Sequence, residues 1–264
     1  MPHEKRIMTD IGMKNLPFPI TVLSRESSDG QRTIASISAH ARIIQEFEAN
    51  WIDRFVNVLH EHGDNIGTLT LRTNIHDYLK ALNASSVTVK FEYPFFVNKT
   101  TPVSKKHCLV QYSCMYSAKL RASDTIPKIE FQIKIPVVTT DPASDPEKHG
   151  GLFGQLSVVT LEAQFKNDCY VEDLIDIVDQ HALSPVYSFL TDEDKAYIVN
   201  KVHSTRTTSV VLTDAIAQEL ARNEDIEWYS VRCDNHSMLR LYSTQVGSEK
   251  NMCVPDSDYD ADDL

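Results

Sequence analysis

From Thr33 to Ile43 the chain alternates with a period of two, with Ala35, Ile37 and Ala39 on one face and Ile34, Ser36 and Ser38 on the other. That pattern predicts a strand. A shorter apolar run, Phe18 to Leu23, precedes it across the turn residues Ser27-Ser28-Asp29-Gly30. From Glu48 to His62 the spacing turns helical, because Trp51, Phe55, Val58 and Leu59 share a stripe that Asp53, Asn57 and Glu61 avoid. Gly63 is a reasonable stop for that helix. A second helix is predicted from Asn74 to Leu82, and long strands from Val87 to Val97 and Cys108 to Leu120. The aromatic cluster Phe91, Tyr93, Phe95 and Phe96 reads chiefly as core filling.

The second half repeats this order. Strands are predicted over Lys128 to Val138 and Gln155 to Phe165, separated by a Pro- and Gly-containing loop, Thr139 to Gly151. Helices follow over Val171–His181, Asp192–His203 and Thr213–Arg222, and a closing hairpin over Glu227 to Cys233 and Ser237 to Thr244. The expected organisation is an N-terminal arm (1–16), two modules (17–124 and 125–246) and an acidic tail (247–264). Antiparallel strands with helices grouped on one face define an α+β class. The exposed edges of such a sheet need covering, and association into a ring of subunits is one solution.

Composition narrows the function classes. Of the 264 residues, 42% are hydrophobic, enough for a sizeable core, and the formal net charge is −11. An acidic chain is poorly suited to general nucleic-acid binding, although a local basic pocket for a small anion is compatible with it. The five cysteines are scattered and odd in number, which fits reduced thiols better than a disulfide framework. Neither a secretory leader nor a membrane-spanning run is read, so the expected location is the cytoplasm.

Four motifs carry a resemblance. Asp10-Ile11-Gly12-Met13-Lys14-Asn15-Leu16, Gly30-Gln31-Arg32-Thr33-Ile34-Ala35, Asp53-Arg54-Phe55-Val56 and Lys99-Thr100-Thr101-Pro102-Val103-Ser104 occur in the order, and on the elements, seen in type IB GTP cyclohydrolases. Along most of its length the chain resembles that family. The resemblance implies a bimodular tunnelling fold, a homo-oligomer (dimer or tetramer) with active sites at subunit interfaces, and a purine or pterin ligand. It also implies a divalent metal that activates water.

The family's metal loop, C-P-C-S-K…G-A-H-N-Q-R-S, corresponds here to Asp141-Pro142-Ala143-Ser144-Asp145 and Gly151-Leu152-Phe153-Gly154-Gln155-Leu156-Ser157. Asp141 stands where the ligand thiol would be, and Phe153 where the imidazole would be. The carboxylate of the family's R-P-D-E-K becomes Asp194, and N-E-S-I-H-N-H becomes Asn235-His236-Ser237-Met238-Leu239-Arg240-Leu241. Trp51 replaces a further family His. The resemblance thus assigns Asp141, His236 and Asp194 as catalytic candidates. Gln31, Arg54, Lys99, Ser144, Phe153 and Gln155 are the candidates for substrate contacts.

Two readings of these groups compete. Asp141, His149, Asp194 and His236 together would be a ligand set acceptable to zinc, iron or manganese. Against this, His149 reads equally as a residue of a solvated loop, His236 as a turn residue, and Asp141 as the cap of an Asp-Pro turn. Metal-free acid–base catalysis by Asp141 or His236 is the other chemistry the pattern permits. The expectation is a repurposed enzyme acting on a purine- or pterin-like heterocycle. The alternatives are a non-catalytic binder or scaffold, and an authentic cyclohydrolase with a rearranged metal site.

Overall fold

The computed structural model describes residues 8–44 and 50–250. Residues 251–264 of the predicted acidic tail, the first seven residues, and Glu48 and Ala49 of the predicted first helix lie outside the described residues, whereas residues 247–249, expected at the start of that tail, belong to the last strand.

A single antiparallel sheet dominates. Its strands are β1 (Met8–Val22), β2 (Gln31–Ile44), β3 (Ala84–Thr100), β4 (His107–Arg121), β5 (Lys128–Thr140), β6 (Gly154–Phe165), β8 (Ile226–His236) and β9 (Thr244–Glu249), adjacent in that order. A two-residue β7 (Ser184–Pro185) pairs with β5 off this path. The helices are α1 (Trp51–His62), α2 (Thr68–Ala81), α3 (Pro146–His149), α4 (Val171–His181), α5 (Asp192–Ser204) and α6 (Ser209–Ala221).

Alternation along each strand, carried across the ladder, builds the core. Ile37, Phe91, Tyr116, Phe131, Ala163 and Tyr229 lie opposite one another across six strands, and all are buried. Buried residues of the helices, among them Phe55, Ile75, Ile175 and Ile216, join the same core. On the other face the corresponding row is Ser36, Glu92, Met115, Gln132, Glu162 and Ser230. Here Glu162 accepts from Gln132 at 2.5 Å and from Arg232 at 3.0 Å. One face is dry and the other polar, as a half-buried antiparallel sheet requires.

The structure extends several predicted elements. The stretch expected to be an arm up to Leu16 enters the sheet, because β1 starts at Met8 and pairs with β2 from Met8↔Ile44 onward. Its alternation is masked by polar residues on an edge strand. α2 begins at Thr68, six residues before the predicted start, and Thr68 and Leu71 extend its buried stripe. α6 begins at Ser209 and β8 runs on to His236. Residues 237–243, expected as part of the closing hairpin's second strand, instead form the connection to β9. The loop 139–151 holds the short α3, with Asp145 accepting from the Glu147 N–H at its start and Gly150 left-handed (φ 74°) at its end. Among the described residues no helix is long and apolar enough to cross a membrane.

Candidate functional site

The carboxyl ends of β3, β5 and β8 lie at one end of the sheet, and most of the candidate residues gather there. Four strands and the start of α5 supply them. Because β5 and β6 pair Thr140↔Gly154 and β6 and β8 pair Leu156↔His236, the loop after β5 is brought beside the turn after β8.

Asp141 is the centre of that corner and is buried (3% exposed). One oxygen accepts from the Ala143 N–H at 2.9 Å, closing the turn at Pro142, and the other accepts from the Ser237 hydroxyl at 2.7 Å. The capping reading and a tertiary contact therefore coexist. Ser144, also buried, stitches the loop to β6: its hydroxyl donates to the Phe153 carbonyl and accepts from the Phe153 N–H, both at 3.1 Å. The backbone N–H of Asp141 donates to the same carbonyl at 3.0 Å.

Beneath this loop runs a chain of buried polar groups. The Gln155 amide donates to Thr139 (3.3 Å), Thr139 meets Ser157 (2.7 Å), Ser157 donates to Asn235 (2.8 Å), and Asn235 donates to Ser209 (3.0 Å). Every member is buried and partnered, the condition under which a polar network holds a shape. Thr139, Ser209 and Ser237 were not among the predicted site residues. The signal available was placement at a core-facing strand end for Thr139, at a helix start for Ser209, and one residue after His236 for Ser237.

His236 does not share the corner's interior. It is exposed on β8, on the face opposite to buried Asn235, and it is the neighbouring Ser237 that reaches Asp141. The side chain of His149 lies outside the described residues.

Asp194 is fully buried, and its surroundings differ sharply from those of Asp141. It accepts five hydrogen bonds: the N–H groups of Val103 and Ser104 (each 2.9 Å), the Ser104 hydroxyl (2.6 Å), and the Thr191 hydroxyl (2.6 Å) and N–H (3.0 Å). Burial acts to raise its pKa, but the bonds from Ser104 and Thr191 outweigh that and hold the carboxyl far below the ordinary range. Locally this is a capping box, Thr191 with Asp194 three residues later, a signature legible in the sequence. The bonds to 103 and 104 add a tertiary function, pinning the Pro102-Val103-Ser104 hairpin to the start of α5.

Lys99 and Gln31 are likewise engaged within the fold. Lys99 falls on the core-facing side of β3, in step with Phe91, Tyr93 and Phe95, and is only 8% exposed. It forms an ion pair with Asp179 of α4 and lies 5.3 Å from the Tyr112 ring centre. Burial pushes the Asp179 carboxyl up, with Lys99 opposing. The pair borders a cleft of about 250 Å³ that Arg25, Glu172 and Tyr187 also line. Among the described residues, one oxygen each of Asp179 and Glu172 has no hydrogen-bond partner there.

The Gln31 amide donates to the Phe96 carbonyl and accepts from the Phe96 N–H, both at 2.8 Å. The regular β2–β3 ladder ends at Ser36↔Glu92, and Pro94 has no N–H to extend it. The Thr33 hydroxyl donates to the Pro94 carbonyl (2.9 Å), and Gln31 closes the gap beyond. Arg54 stands apart from this end, in a groove between α1 and α2 that Asn57, Glu61, Asp77 and Lys80 also line. Trp51 packs half-buried against the core. Cys108 and Cys114 share a buried face, and burial raises the Cys114 thiol, so neither is presented as a nucleophile.

Sheet, helix layer and order of strands define an α+β fold similar to that of the tunnelling-fold uricases. A urate oxidase from Bacillus sp. TB-90 superposes with a TM-score of 0.58 at 10% identity, covering 91% of this chain and 98% of that one. A uricase from Bacillus fastidious gives 0.54 at 10% identity, covering 93% of each chain. At that identity the likeness is one of fold alone. Sequence goes further: the profile described as GCHY-1, Type I GTP cyclohydrolase folE2, matches residues 2–240, and the chain belongs to that family. Relatives named GTP cyclohydrolase FolE2 include one from Geobacter sp. (strain M21), 30% identical over 241 residues, covering 91% of this chain and 89% of that protein. Another, from Citrifermentans bemidjiense, is 30% identical over 242 residues with the same coverage.

Proposed function

We propose that this chain is a cyclohydrolase-type hydrolase that opens a C–N bond of a purine- or pterin-like heterocycle, with Asp141 as its proton-handling carboxylate. The observation that carries the reading is the corner at Asp141. It is a buried carboxylate with two hydrogen bonds and spare acceptor capacity, on a loop that keeps the family's pattern at Pro142, Ser144, Gly151, Gln155 and Ser157. A carboxylate so placed can take a proton from an attacking water and return it to a ring nitrogen. The names of the relatives make GTP the first substrate to test.

The reading includes assembly. Among the described residues, both outer strands, β1 and β9, have one edge with no partner strand. Near the Asp141 corner, Met238, Leu239, Leu241 and Tyr242 are exposed, an apolar tip suited to burial against a second protomer. We read the chain as two tunnelling-fold modules in a homo-oligomer, with Ser144, Phe153 and Gln155 in the ligand's surroundings. Arg54 would reach a ligand only across a protomer boundary.

A second reading, a binder without turnover, is favoured by one specific observation: Asp194 is saturated by internal hydrogen bonds and His236 points away from Asp141. One experiment separates the two. GTP and a panel of purines and pterins are incubated with the oligomer while formate release and ring absorbance are followed, and binding is measured by calorimetry. Turnover that Asp141→Asn reduces by roughly 100-fold supports the enzyme. Binding with no turnover of any compound refutes it in favour of the binder.

A further inference from the structure

We infer that the metal position implied by family membership is not a metal site in this chain, and that a carboxylate–hydroxyl pair, Asp141 with Ser237, stands in its place. The inference rests on that membership and on the donor groups present, independently of the proposed reaction.

A catalytic divalent centre of this type takes about three protein ligands, each offering a free lone pair toward one point. The six corresponding positions here are Asp141, Phe153, Asp194, His236, Leu239 and Leu241. Phe153, Leu239 and Leu241 carry no donor atom in their side chains. Asp194 is a donor already in use. Coordination through either oxygen would break bonds that tie α5 to Val103 and Ser104, leaving buried N–H groups without partners. His236 lies on the outer face of β8, while Asp141 lies on the buried side with Asn235.

Among the described residues, that leaves Asp141 as the one interior donor at these positions with acceptor capacity to spare. Its second oxygen is bound by the Ser237 hydroxyl at 2.7 Å, and the same hydroxyl accepts from the Leu239 N–H at 3.2 Å. A cation on that oxygen would share it with the proton that holds the 237–239 turn and would find no second protein ligand among the described residues. Among the described residues, no three His, Cys, Asp or Glu side chains converge on a common point suited to a metal ion. The exchange is coherent: with the thiol and imidazole gone, a neutral hydroxyl supplies a hydrogen-bond donor to the buried carboxylate.

The test uses the unaltered full-length protein, produced in medium supplemented with zinc, manganese and iron. Elemental analysis is expected to find each metal well below one per protomer, and excess EDTA should leave the melting temperature unchanged. Should one equivalent be found, anomalous scattering at that metal's absorption edge, measured on crystals of the same protein, locates it. A peak at the Asp141 carboxylate overturns the inference, and a peak elsewhere upholds it. Because neither measurement involves turnover, the outcome stands whether or not the heterocycle panel yields a substrate.

Discussion

Two buried aspartates at the same end of the sheet have opposite relations to their surroundings. Asp194 receives five hydrogen bonds from two separate segments, whereas Asp141 receives two. A carboxylate has room for about four acceptor contacts. Asp194 is therefore committed to holding α5 against the 101–104 hairpin. Asp141 holds a turn and retains capacity for about two more partners. Burial alone does not distinguish the two. The count of bonds does.

The contrast can be broken most severely at Asp194. Asp194→Ala would orphan the N–H groups of Val103 and Ser104, and a fall in melting temperature on the order of 10 °C is expected by calorimetry. Its pH dependence follows from the depressed pKa. Such a group contributes stability above its unfolded value of 3.8, and that contribution is lost as pH falls toward the lower folded value. The stability gap between the native protein and Asp194→Asn should therefore narrow below pH about 4. A gap that stays constant well below that pH would contradict the assignment.

Lys99→Met comes next. It leaves Asp179 buried without its cation, at a cost of roughly 3 kcal/mol in denaturant titrations. Burial already raises the Asp179 carboxyl, and removing Lys99 raises it further. Protonation then relieves the uncompensated charge, so the deficit should be smaller at pH about 5 than at pH about 8. A deficit that grows on acidification would show that Lys99 acts otherwise.

Gln31→Ala removes two hydrogen bonds to the Phe96 backbone and is expected to cost about 1–2 kcal/mol. Any effect on GTP affinity in excess of that loss, measured on the folded variant, would return Gln31 to the ligand site. Smallest in stability is Asp141→Asn, at about 1 kcal/mol, since an amide can still cap the turn. Large loss of turnover with near-native melting would sharpen the difference between the two aspartates. Equal losses in both would erase it.

Much of the fold was legible along the chain. The alternation of Ile129, Phe131, Ile133 and Ile135 placed β5 and its buried face, and the stripe of Phe55, Val58 and Leu59 placed α1. β1 was missed before Leu16 because an edge strand can carry polar residues on both faces, so period two leaves no trace there. In the site, the turn at Asp141 and the capping box at Thr191–Asp194 are local patterns a sequence contains. The assignment of Asp194 to catalysis passed over that capping box.

By itself the sequence determined the family, the α+β class and which residues face the core, because these follow from periodicity and from motifs spaced along one chain. Lys99 illustrates the limit. Its register marks it as inward-facing, yet only the packing of α4 supplies Asp179 as the partner that makes burial tolerable. Tertiary structure alone decided that Ser237, and not His236, meets Asp141, and that Asp194 is saturated by a hairpin some ninety positions away. Hydrogen-bond satisfaction is set by distances between segments remote in sequence, and no local pattern encodes them.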